Sequence, residues 1–72
     1  MQNIISPDFI MNLEDRAANG DAEAQFFLGV LYYNGQGVSQ DFHKAKEWFR
    51  QACDNGNQKG CDRYKELNMN GC

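Results

Sequence analysis

Ala24-Gln25-Phe26-Phe27-Leu28-Gly29-Val30-Leu31-Tyr32, answered by Lys44-Ala45-Lys46-Glu47-Trp48-Phe49-Arg50-Gln51-Ala52, carries the architecture of this chain. In the first segment Ala24, Leu28, Leu31 and Tyr32 fall at i, i+4, i+7 and i+8, one face of a helix. In the second, Ala45, Trp48, Phe49 and Ala52 fall at i, i+3, i+4 and i+7, again one face. Asn34-Gly35-Gln36-Gly37-Val38-Ser39-Gln40 separates them, short and glycine-rich enough to read as a tight connection. The two helices are therefore expected to be antiparallel neighbours. Gly29 and Ala45 are expected to let their backbones approach closely, with Leu28, Leu31, Trp48 and Phe49 filling the space around them.

Working outward, residues 6–19 read as a helix that starts with Ser6 as N-cap, Pro7 in the first helical position and Asp8 near the positive end of the dipole. Phe9, Ile10, Leu13 and Ala17 form its apolar face, and Gly20 ends it. A shift of 36 residues lays Leu13 on Phe49, Ala17 on Cys53 and Gly20 on Gly56, so this helix matches the second half of a preceding unit. Asp41 is the expected N-cap of the helix that closes at Gly56. Residues 57–68 read as a fourth helix under the same shift. There Leu67 matches Leu31, Tyr64 replaces Leu28, and Lys65 stands where Gly29 would allow close packing. That segment is expected to cap the array, with residues 69–72 as a frayed tail. The expected fold class is all-α, a short α/α solenoid of about four antiparallel helices: one full unit (21–56) with half-units on either side.

The pattern Ala24-Gln25-x-x-Leu28-Gly29-x-Leu31-Tyr32-x-x-Gly35-x-Gly37-Val38-x-x-Asp41-x-x-Lys44-Ala45-x-x-Trp48-x-x-x-Ala52 resembles a Sel1-like repeat. That family is related to the tetratricopeptide repeats, and the resemblance implies stacked helix pairs in a right-handed superhelix that bind proteins. Cys53 and Cys61, with Gly60 between them, resemble the pairs of the family's secreted cysteine-rich branch, which implies a disulfide. Such a bridge over a 9-residue loop would contribute about 2.5 kcal/mol. The alternative is two reduced, half-buried thiols, as a cytoplasmic protein would have. Members of that branch have been associated with penicillin binding or β-lactam hydrolysis. No activated serine or metal site is present here to carry that activity over, and an enzyme of that kind stands only as the alternative function.

Phe27, Val30 and Tyr33 lie at i, i+3 and i+6, on a strip beside the core face of their helix, with Phe26 flanking. In repeat superhelices the first helix of each pair lines the concave surface where partners dock. On that reading the strip is an apolar docking ridge for a partner or a second copy. The competing reading is that Phe9, Ile10 and Leu13 cover it and complete a four-helix core.

Seventy-two residues allow one small domain with a thin core. The net charge of −3 is unevenly spread: residues 1–36 hold five acids against Arg16 alone, whereas residues 37–72 hold five acids against six bases. No basic stripe is available to track phosphates, which argues against nucleic acid as partner. No apolar run approaches the ~18 residues of a membrane span. Met1-Gln2-Asn3-Ile4-Ile5 lacks the basic start and sustained apolar run of a signal peptide. A cytoplasmic location is expected, or a periplasmic or secreted one if the sequence is a trimmed mature form. His43 shares its helix with Lys46 and Glu47 and reads as a solvated surface residue, and neither a metal nor a cofactor is expected. Cys72 reads as an incidental thiol. The function expected is non-catalytic protein–protein interaction, by a small adaptor or an inhibitor of the immunity type that binds one protein partner.

Overall fold

A computed structural model describes residues 7–69, and the expected Ser6 cap and the Cys72 thiol lie outside the described residues. Four helices follow one another: α1 (Pro7–Ala18), α2 (Ala22–Asn34), α3 (Phe42–Asp54) and α4 (Gln58–Met69). Each packs on the next, α1 on α2, α2 on α3 and α3 on α4, so the layers follow chain order as in a solenoid. Helix α4 runs through Met69, one residue into the expected tail.

The helix starts are made by side-chain oxygens that accept the orphan N–H groups of a first turn. Asp21 accepts from Glu23 N and Ala24 N at 3.0 and 3.2 Å, and Asp41 accepts from Lys44 N at 3.0 Å. Asn57 accepts from Gly60 N at 2.9 Å, thirty-six positions after the Asp21–Ala24 bond. The helix ends obey the same shift. Asp21 N donates to Arg16 O (3.0 Å) and Gly20 N to Ala17 O (3.0 Å); Asn57 N donates to Ala52 O (2.9 Å) and Gly56 N to Cys53 O (3.0 Å). Two Schellman-type endings of one geometry, half a chain apart, establish α1 and α3 as corresponding helices. Helix α2 ends at Gly35, whose φ of 70° only glycine adopts without strain and whose N–H bonds Leu31 O.

Two apolar clusters make the core. Ile10, Leu13 and Ala17 of α1 meet Ala24, Leu28 and Leu31 of α2, with Val38 and Trp48 packed on the edge. Ala45 and Phe49 of α3 meet Leu67 of α4, flanked by Phe26, Val30, Tyr32 and Tyr64. Helix α2 stands between the clusters, which is why it is apolar on nearly every side.

The close approach expected at Gly29 is real but differently filled. A Cβ at Gly29 would stand 2.5 Å from Phe49 Cε1, so the glycine is a socket for an aromatic ring rather than a backbone contact. Backbones meet instead at α3 and α4: a Cβ at Gly60 would stand 2.7 Å from Ala52 Cβ and 2.9 Å from Phe49 O. Ala45 and Ala52 are fully buried, and Trp48 is half-buried.

Candidate functional site

The groove between α2 and α4 is the first place where this packing leaves usable surface. Val30 and Tyr33 of α2 form one wall, and Arg63, Glu66 and Leu67 of α4 form the other. Phe49 lies at the floor of a cavity of about 160 Å3. The floor is apolar because Phe49 and Leu67 belong to the second cluster. The rim is charged because Arg63 and Glu66, 3.7 Å apart, face water. Tyr33 is 41% exposed and stacks obliquely on Phe42 at 5.3 Å between ring centroids.

The strip Phe27, Val30, Tyr33 and its neighbour Phe26 is distributed over three surroundings. Val30 and Tyr33 share the α2/α4 groove. Phe27, 41% exposed, meets Phe9 edge-on at 5.8 Å. These two rings line a second cleft of about 330 Å3 with Leu13, Arg16 and Glu23. Phe26 is half-buried and tilted against Phe49 at 5.6 Å, and it lines the same second cleft as Phe27. Helix α1 thus covers the strip only at its Phe27 end.

Cys53 and Cys61 form a disulfide, with their Cα atoms 4.5 Å apart, that ties the end of α3 to the first turn of α4. Thirty-six positions earlier stand Ala17 and Gln25, and they are tied as well. Gln25 Nε2 donates to Ala17 O at 2.8 Å, and Gln25 Oε1 accepts from Asn55 Nδ2 at 2.9 Å. Gln25, almost fully buried, therefore joins α2 to the ends of both α1 and α3. In the sequence Gln25 stands only as a position of the repeat signature; the 36-residue shift lays it on Cys61 and Ala17 on Cys53, but does not name the bonds it makes.

Among titratable groups, the Asp21 carboxyl is held below its ordinary value, first by the Ala24 N–H and then by the Arg16 guanidinium, 3.0 Å away. His43 is exposed. Among the described residues no group of three or more His, Cys, Asp or Glu side chains is placed to hold a metal ion. None of the described helices is long and apolar enough to cross a membrane. Lys44 lies over the Tyr32 ring at 5.3 Å and Lys46 over Tyr64 at 5.9 Å, partly exposed contacts of modest strength.

These features define a helical-repeat protein. The chain belongs to the Sel1 repeat family: the family's model matches residues 22–57, one residue out of phase with the 21–56 unit read from spacing. It is similar to the ERAD-associated E3 ubiquitin-protein ligase component HRD3A of Arabidopsis thaliana, 35% identical over 82% of this chain and 9% of the relative. It is also similar to the DAP3-binding cell death enhancer 1 of Mus musculus, 33% identical over 71% of this chain and 10% of the relative. A third relative, the secretory immunoglobulin A-binding protein EsiB of Escherichia coli, is 40% identical over 56% of this chain and 8% of its own length. The chain thus spans about a tenth of the length of these relatives. No solved structure matches it.

Proposed function

We propose that this chain is a non-catalytic protein-binding module, a small adaptor or an inhibitor of the immunity type, that holds one protein partner against α2. The observation that carries this reading is the α2/α4 groove: an apolar floor of Phe49 and Leu67, the partly exposed Val30 and Tyr33, and a charged rim of Arg63 and Glu66. An apolar centre with a polar rim is the composition of a docking surface. Phe27 extends the strip toward α1. The names of two relatives, one binding DAP3 and one binding secretory immunoglobulin A, support the same class of function. The Cys53–Cys61 bridge favours an oxidising compartment, the periplasm or the exterior, over the cytoplasm.

Capture of partners from the native host by wild type and by the Tyr33→Lys and Val30→Glu variants tests the reading. Both variants are expected to keep the helical circular dichroism of wild type, because Tyr33 is exposed and Val30 half-buried. Both are expected to lose a stoichiometric partner that wild type retains. A partner retained by both variants, or β-lactam turnover by wild type, would overturn the proposal.

A further inference from the structure

The internal repeat shows what the second cleft is shaped to hold. Phe26 of α2 lies over the Phe49 ring and borders Lys59, Asp62 and Arg63 of α4. Moved back by 36 residues, those neighbours become Leu13, Glu23, Phe26 and Phe27, all of which line the cleft beside Phe9. In other words, α1 and α2 present to the cleft the surface that α3 and α4 present to Phe26. Charge narrows the occupant further. Residues 1–36 carry Asp8, Glu14, Asp15, Asp21 and Glu23 against Arg16, and Arg16 is paired with Asp21.

We infer that the cleft between Phe9, Leu13 and Phe27 seats an amphipathic helix of a partner protein. That helix carries a large apolar side chain in the register of Phe26 and basic residues on its flanks. The helix stacks on α1 as α2 stacks on α3, and its apolar side chain covers Leu13 as Phe26 covers Phe49. A second copy supplies no such helix through α4, because Lys65 occupies the position at which Gly29 admits the Phe49 ring. The seat is separate from the α2/α4 groove, so either can fail while the other stands.

The probe is a fluorescein-labelled peptide with the sequence of residues 21–35, α2 with its cap, titrated with the full chain and followed by anisotropy and by amide chemical shifts. Saturable binding is expected, with shifts at Phe9, Leu13, Glu23 and Phe27 and little change at Tyr33, Arg63 and Leu67. Phe26→Ala in the peptide is expected to weaken binding by at least about tenfold, as loss of a buried aromatic anchor does. A Glu23→Lys, Asn34→Lys peptide is expected to bind several-fold more tightly at low salt, roughly in line with charge steering. In the protein, Phe9→Lys weakens binding while Tyr33→Lys, which disables the groove, leaves it intact. The inference is overturned by absence of saturable binding, by indifference to the peptide's Phe26, or by a footprint in the α2/α4 groove. It is equally overturned if binding needs deletion of residues 1–6, making the chain itself the occupant, or if the footprint arises with protein concentration alone, making it a second copy.

Discussion

Gly29 and Gly60 are both buried helical glycines, and they tolerate a methyl group unequally. Replacing glycine by alanine inside a helix gains about 1 kcal/mol of propensity. At Gly29 that gain is opposed by the Phe49 ring, whose near atom would sit 2.5 Å away and which is itself pinned by Phe26. At Gly60 the obstacles include the Phe49 carbonyl and Cys53 N, backbone atoms of α3 that cannot rotate aside. Gly60→Ala is therefore expected to lower the unfolding free energy by about 1–3 kcal/mol net, and Gly29→Ala by less, measured by urea denaturation. Gln25→Met, which keeps the volume but not the hydrogen bonds to Ala17 and Asn55, is expected to cost about 1–3 kcal/mol in the same assay. Spacing in the sequence marked Gly29 as a place of close approach. It could not say which neighbour comes close, because periodicity fixes the face of one helix and not its register against the next.

Capping and joining belong to the helices as units. Asp21 and Asn57 cap corresponding helices, one with a charged group and one with a neutral amide. Because the folded chain holds the Asp21 carboxyl below its unfolded value, its stabilising effect is complete above about pH 4. The effect is lost as pH falls through the lower folded value. Asp21→Asn keeps a cap of the Asn57 kind and is expected to flatten the acid limb of a melting-temperature profile between about pH 5 and pH 2. The joints give a second prediction. Since Ala17 and Gln25 stand in the repeat where Cys53 and Cys61 stand, the double variant Ala17→Cys, Gln25→Cys is expected to form a disulfide with dissolved oxygen as the oxidant, visible as the disappearance of two thiols by alkylation and mass spectrometry. Helix count, turns and the Asp41 cap were legible in the sequence, because glycine, aspartate and apolar spacing act locally. The Gln25 joint was not, because a buried amide looks like any polar residue until its partners, eight and thirty positions away, are brought to it.

Taken whole, the molecule is polarised: its first half is acidic, its second nearly balanced. Association with a partner is expected to slow as salt rises from about 20 to 300 mM, with the dissociation rate changing much less, in stopped-flow or biosensor measurements. The solenoid class was legible because the 36-residue period survives in both halves, even where Tyr64 and Lys65 have replaced Leu28 and Gly29. The candidate surface was legible only in part. Phe27, Val30 and Tyr33 lie on one strip of α2, but the neighbouring helices divide it, α1 taking the Phe27 end and α4 the other. Where those neighbours stand is a property of stacking, which the strip itself does not encode.

The two joints also differ in how they meet force. Pulled from its termini, the chain can open completely between α1 and α2, where every contact is non-covalent, but at the α3–α4 joint residues 53–61 stay closed in a loop while the bridge is intact. Stretching should therefore extend oxidised protein to a shorter limit, and a reductant should release the increment of length held in that loop.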